Sequence, residues 1–273
     1  MIDSIVKTKW SKKQTVLNSF LSIPNSFTAE IMAAQGYDAL TIDYQHGMID
    51  FNDLFVMLQS IRHSGVTPIC RVSGLDHAVI SKVMDAGAMG IICPMINNRQ
   101  ESEQLVQDCK YPPLGIRSFA PTRANFTVSP NYFYEANEST FCLAMIETQE
   151  AFDNLDDIAS TPGLDGLYIG TADLTIGLNE GKLAPGFDRK EPEMIEAKKK
   201  ILKAAHKHGK VACLHCGTPE YAAQACEWGF DLVTITNDVR LLAGAAGANV
   251  RKFKELTNQE FDDSNKDRNP SSY

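Results

Sequence analysis

The residues of this 273-residue chain best suited to chemistry stand where its apolar runs stop. Asp43, Gln45 and His46 close the run in "TIDYQHGMID", Arg71 ends "TPICR", Glu147 follows "FCLAMI", and Asp173 sits in "GTADLT". Burying such groups without partners costs on the order of 1–3 kcal/mol each, so they belong at strand ends, where they can act, and not in strand interiors. Glu147 and Asp173 are 26 positions apart (173 − 147), the span of one strand-plus-helix unit, which sets two carboxylates on neighbouring strand ends. Two such groups, completed by water and substrate oxygens, suit Mg²⁺, Mn²⁺ or a related divalent ion; zinc would call for more His or Cys. The structural alternative is that Glu147 caps a helix beginning near Thr148 and Asp173 caps the short helix after it. His46 is either a hydrogen-bonded structural histidine or a proton carrier suited to neutral pH. Arg71, if it faces a barrel mouth, offers a permanent bidentate charge to a carboxylate or an enolate oxygen.

The elements that position these residues follow from the pattern of apolar runs. Eight strands are predicted near 16–21, 39–43, 67–71, 90–94, 141–146, 166–169, 210–214 and 232–236, without clear period-2 alternation, and helical spacing intervenes between them. Phe51, Leu54, Phe55, Leu58 and Ile61 form one helical stripe that Asp50 can cap, while Pro192 and Gly209 bracket a helix carrying Ile195, Ile201, Leu202 and Ala205 inward. Buried parallel strands alternating with helices imply a single-domain (β/α)8 TIM barrel over residues 1–256, with a doubly wound sheet as the alternative. The polar stretch 257–273 reads as a tail. A long insertion, Cys109 to Thr140, separates units four and five, and its length suggests a functional loop.

Composition narrows the function further. With 26 Lys and Arg against 34 Asp and Glu, the formal charge of −8 disfavours a nucleic-acid or anionic-membrane binder and favours a small-molecule partner. The start has no apolar run of the signal-peptide kind and no later stretch has membrane-span length, so a cytoplasmic location is expected. Seven cysteines, mostly in apolar stretches, read as reduced core thiols; Cys213 and Cys216 form a lone CxxC, better explained by packing than by redox or zinc chemistry. No lysine falls in an apolar strand core, which disfavours Schiff-base catalysis: Lys82 lies on a predicted helix, Lys198 to Lys200 on what reads as a solvated helical face, and Lys210 at a strand entry. No glycine pattern calls for a nucleotide.

From about Leu17 to Leu242 the motifs "TAEIMAAQGYDALTIDYQHGMID", "VMDAGAMGIICPMI", "YPPLGIRS", "NLDDIASTPGLDGLYIGTADLTIGL" and "AQACEWGFDLVTITNDVRLL" occur in an order that resembles the HpcH/HpaI aldolase family. The resemblance implies a (β/α)8 barrel, a homo-oligomer (a trimer, or a hexamer built from trimers), and a metal-dependent pyruvate aldolase similar to the 4-hydroxy-2-oxoheptanedioate aldolases. It further implies that His46 is the proton acceptor, Arg71 the transition-state stabiliser and substrate contact, and Glu147 and Asp173 the ligands of Mg²⁺, Mn²⁺ or Co²⁺, with Asp173 also contacting substrate. Ala172 matches a residue whose backbone meets the pyruvate carboxylate, and Asp85 an aspartate that makes the histidine more basic. Topology carries the helix bearing Asp85 away from the barrel mouth, so another subunit supplies that carboxylate or the matched role does not hold here.

Two positions depart from the best-known members, which have Glu at Gln45 and Gln at the substrate-contacting Met145. Replacing an amide by a thioether removes a hydrogen-bonding group, so reaction class is expected to be kept more faithfully than substrate. The expected reaction is cleavage of a 4-hydroxy-2-oxo acid to pyruvate and an aldehyde, or the reverse addition. The rivals are a citrate-lyase-like enzyme acting on an acyl-coenzyme A and a barrel that binds a keto acid without turning it over.

Overall fold

The computed structural model describes residues 4–260. Strands β1 (Val16–Leu21), β2 (Ala39–Asp43), β3 (Thr67–Arg71), β4 (Gly90–Cys93), β5 (Phe141–Ile146), β6 (Gly166–Ile169), β7 (Val211–Cys216) and β8 (Leu232–Asn237) pair in parallel and in chain order into a closed barrel. The predicted boundaries hold to within two residues. β4 stops at Cys93 because Pro94 has no N–H for the ladder, and β7 begins at Val211 because the Lys210 amide is used to close the preceding helix on Ala205 O, at 2.9 Å.

Around the barrel run α1 (Ile5–Ser11), α2 (Ser26–Ala33), α3 (Phe51–Ser60), α4 (His77–Asp85), α5 (Arg99–Cys109), α6 (Ala124–Thr127) and α7 (Tyr132–Ser139). They continue with α8 (Gln149–Asp153), α9 (Leu155–Ala159), α10 (Thr171–Leu178), α11 (Pro192–Lys207), α12 (Pro219–Trp228) and α13 (Asp238–Leu256). Asp50 caps α3 as expected, in a reciprocal box with Asp53. Pro192 opens α11, and Gly209, with φ +65°, follows its end in the left-handed region. None of the described helices is long and apolar enough to cross a membrane.

Burial divides into two shells. Ile80, Leu105, Ile158 and Ile201 belong to the layer between strands and helices, whereas Phe20, Ile92, Leu143, Met145 and Tyr168 fill the barrel itself. The short helix α1 plugs the amino-terminal mouth. Its Val6 joins the interior cluster, the Trp10 ring meets Phe141 edge-on at 5.0 Å, and Lys7 and Lys9 pair with Asp165 and Asp38 at 2.5 and 2.6 Å. That seal leaves the carboxyl-end mouth as the open one.

Two expectations change. The insertion enters after α5 and leaves before β5, which puts it at the plugged end of the barrel. There α6 and α7 build a small core of Met89, Tyr111, Ala124, Tyr132 and Ala136, and the insertion does not line the mouth of its own barrel. Lys198 is not on a solvated face: it is fully buried, donating to Tyr221 Oη at 2.7 Å and Phe187 O at 3.2 Å, and burial pulls its ammonium down to about 8. Cys213 and Cys216, three positions apart on a strand, face opposite ways, one into the barrel and one into the outer layer; both are free thiols that burial pushes up, and they form no shared site. Of the expected tail, residues 261–273 lie outside the described part of the chain.

Candidate active site

The polar ends of the strands converge on one cavity of about 370 Å³ at the open mouth. Asp43 and Arg71 are direct register partners at the last pair of β2 and β3. The guanidinium grips the carboxylate with Nε at 2.9 Å and Nη2 at 2.7 Å, while Asp43 Oδ1 also accepts from the backbone N–H groups of Gln45 and His46 at 3.3 and 3.2 Å. Burial alone would raise the Asp43 carboxyl, but Arg71 and the His46 amide outweigh it and hold the group below its usual range. Burial likewise opposes the Arg71 charge, and Asp43 restores it. Asp43 therefore shapes the turn that presents His46 to the cavity by holding its backbone. Gly47 completes that turn where a Cβ would collide with Asp43 O.

Glu147, one residue past β5, is 3% exposed, and its Oε2 accepts from the Met95 amide at 2.9 Å. Met95 adopts φ +58° to make this contact, a left-handed conformation costly for a side chain of its kind. Burial pushes the Glu147 carboxyl up to about 7, with the neighbouring Asp173 carboxyl adding to the shift and the Met95 amide and Arg71 opposing it. Asp173 lies in the first turn of α10, whose N-cap is Gly170 with no side-chain cap bond; a Cβ on Gly170 would run into the Glu147 carboxylate. The capping alternative fails for Glu147, because Thr148 caps α8 through Ala151 N.

The two carboxylates thus face each other in a buried pocket with more negative charge than the nearby guanidinium, itself committed to Asp43, neutralises. That surplus fits a divalent cation with water and substrate oxygens as its remaining ligands. Among the described residues no group of three or more His, Cys, Asp or Glu gathers as a metal site, so the donors this cavity offers an ion are the two carboxylates.

His46, Arg71, Met145, Glu147, Ala172 and Asp173 all line this cavity. Asp85 does not. It ends α4 at the plugged end of the barrel and pairs with Arg117 of the insertion at 2.6 Å, because a helix following a parallel strand must run back along it. Only a second copy of the chain can bring that carboxylate to this cavity. Gln45 is not among the lining residues either, and its Oε1 is buried without a hydrogen-bond partner among the described residues. Of the two departures in the sequence, Met145 is the one that touches the cavity.

The mouth also holds residues absent from the sequence reading, notably Phe20, Phe187, His215 and Arg240. Phe187 comes from the segment between α10 and α11, clasped by Lys198 on its carbonyl, by Tyr221 Oη on Arg189 O at 2.7 Å, and by Gly217 N and Thr218 Oγ1 on Asp188, each at 2.7 Å. Its ring stacks on His215 at 4.6 Å, with the Arg240 guanidinium 5.5 Å from its centroid. His215 stands between the two cysteines of "CLHC".

Residues 17–245 match the family described as HpcH/HpaI aldolase/citrate lyase. The chain is 39% identical over 241 residues, 88% of its own length and 95% of the relative's, to a hydroxypyruvate/pyruvate aldolase of Rhizorhabdus wittichii. It is 29% identical over 251 residues, 91% of its length and 96% of the relative's, to a 5-keto-4-deoxy-D-glucarate aldolase of Escherichia coli O6:H1. Among solved structures, a family protein from Burkholderia cenocepacia J2315 superposes with a TM-score of 0.84 at 26% identity, covering 92% of this chain and 100% of that one.

Proposed function

This chain belongs to the HpcH/HpaI aldolase/citrate lyase family, and from that premise we propose that it is a divalent-metal-dependent aldolase. It cleaves a 4-hydroxy-2-oxo acid to pyruvate and an aldehyde, or runs the reverse addition. The observation that carries this reading is the pairing of Glu147 with Asp173 in the cavity that also holds Arg71 and His46.

Glu147 and Asp173 would hold Mg²⁺, Mn²⁺ or Co²⁺, which when bound supplies Lewis acidity to the 2-oxo group. Arg71, kept charged by Asp43, stabilises negative charge as it develops on the substrate's C2 oxygen. His46 accepts the proton of the 4-hydroxyl as the C3–C4 bond breaks; the bonding pair passes to C3 and C2, the aldehyde leaves, and a proton delivered to C3 gives pyruvate. The backbone of Ala172, in the first turn of α10, meets the pyruvate carboxylate, where unsatisfied amides and the helix dipole favour an anion. Met145, buried at the cavity wall, bounds the substrate without hydrogen bonding to it.

The same reading includes a cytoplasmic homo-oligomer, a trimer or hexamer. It is supported by α13, of which Asp238 alone is buried while Leu242, Phe253 and Leu256 are 64%, 60% and 72% exposed, and by the position of Asp85. Pyruvate release from a 4-hydroxy-2-oxo acid, followed by coupled reduction to lactate, tests the activity. Metal-stripped protein is expected to be inactive and restored by one of the three ions, and His46→Ala to lose on the order of 10²–10⁴-fold in kcat with its melting curve kept. Near-native turnover in that variant rules out the proton-acceptor role.

A further inference from the structure

A line of buried polar side chains crosses the barrel interior beneath the cavity and ends on His215. Thr41 Oγ1 donates to Asn18 Oδ1 at 3.1 Å, Asn18 Nδ2 donates to Thr234 Oγ1 at 2.9 Å, Thr234 Oγ1 and Tyr168 Oη lie 2.8 Å apart, and Tyr168 Oη and His215 Nδ1 3.2 Å apart. Asn18, Thr41, Tyr168 and Thr234 are fully buried, so each hydroxyl proton in the line needs an acceptor, which the next member supplies.

That requirement sets the direction. With the Asn18 carbonyl taken by Thr41, its amide must donate to Thr234, whose single hydroxyl proton then goes to Tyr168. Tyr168 passes its own proton to His215 Nδ1. The opposite sense leaves the Thr234 proton without an acceptor in the line. Burial, assisted by the nearby Arg71 charge, keeps the imidazole neutral, pulling it down to about 3. Nδ1 is therefore the acceptor and Nε2 carries the ring's one proton. Phe187, stacked at 4.6 Å and 16°, and Phe20, edge-on at 4.8 Å and 68°, fix the ring plane.

We propose that His215, whose ring lines the cavity, is a specificity-determining residue and that its Nε2–H hydrogen-bonds an oxygen on the aldehyde-derived half of the substrate. The inference rests on the aldolase reading. There the oxygens of the pyruvyl half already have partners in Arg71, the Ala172 backbone and the ion site, which leaves this donor for an α-oxygenated aldehyde. An oxygen-free analogue of equal size would strand the donor, and sites built around such a donor discriminate strongly against the analogue that lacks its acceptor. Tyr168 acts through His215 and is a positioning residue.

The test is the ratio of kcat/KM for hydroxyacetaldehyde to that for propanal, which exchanges a terminal hydroxyl for a methyl, with pyruvate as the donor. In His215→Leu the ratio is expected to fall on the order of 10- to 100-fold. His215→Gln, whose amide can place an N–H near the Nε2 position, should recover part of it. Tyr168→Phe, which keeps the ring but frees its tautomer, should lower the ratio by a smaller factor. A ratio within twofold of the parent in His215→Leu overturns the assignment; should that variant not fold, an unchanged ratio in Tyr168→Phe does so. Absence of both aldol products and of metal-dependent pyruvate exchange in the unmodified protein instead removes the aldolase reading, and the aldehyde assignment with it.

Discussion

Arg71→Ala is expected to lower turnover on the order of 10²–10³-fold and, at neutral pH, to destabilise the fold by about 3–5 kcal/mol. Both effects have one origin. The guanidinium stabilises developing charge on the substrate and at the same time neutralises Asp43, which is 3% exposed. Because Asp43 is held below its ordinary value, the pair contributes stability that is present above the unfolded carboxyl's pKa and lost as pH falls through the lower, folded one. In the variant, burial acts on Asp43 unopposed by Arg71 and the shift turns upward. The stability deficit should thus be full at pH 7 and shrink toward acid, where the carboxylate is neutral in both states. Adding Asp43→Asn to Arg71→Ala should recover much of the stability and none of the activity, which denaturant melts and turnover assays on the four proteins of the cycle would show. A recovery of activity would mean that Arg71 acts only through Asp43.

Glu147→Gln should abolish metal-dependent turnover while making the metal-free protein more stable at pH 8. The amide keeps an acceptor for Met95 N, 2.9 Å away in the parent, but removes a negative charge from beside Asp173. A carboxyl raised from 4.5 to about 7 binds more protons folded than unfolded between those values, so metal-free stability falls as pH rises through that window. The full penalty above pH 7 is on the order of 3 kcal/mol. A bound divalent ion offsets it, and since binding displaces the Glu147 proton, affinity should weaken as pH drops below 7. Thermal melts of parent and variant from pH 5.5 to 8, with and without Mn²⁺, read both effects. The parent should show a metal-induced gain that grows with pH and the variant none. A variant less stable than the metal-free parent at pH 8 would contradict the charge surplus inferred for the pair.

The strand ends were legible because a buried strand reads as an apolar run, and the first polar residue after it marks where backbone pairing stops. Asp43, Arg71, Glu147 and Asp173 could all be located that way, and barrel topology then places them at one mouth. The same topology carries the helix of Asp85 and the insertion to the other end, away from the mouth of their own barrel. The run of three lysines does not share one face, and Lys198 departs from its neighbours. It lies four residues after Met194 and four before Leu202, on the buried stripe, and its ammonium is tolerated there because Tyr221 and the Phe187 carbonyl accept from it. His215 was not legible at all. Its role depends on Tyr168, Thr234, Asn18 and Thr41, which come from four other strands and meet only when the barrel closes.

The central claim, that Glu147 and Asp173 hold an ion which promotes enolate formation from pyruvate, is tested most directly by proton NMR of pyruvate in D2O. Metal-stripped protein should leave the methyl signal intact. Addition of Mg²⁺, Mn²⁺ or Co²⁺ should cause its loss through exchange, without any aldehyde present, and Glu147→Ala should abolish that loss. No exchange with any of the three ions in a folded protein, or undiminished exchange in Glu147→Ala, would contradict the account.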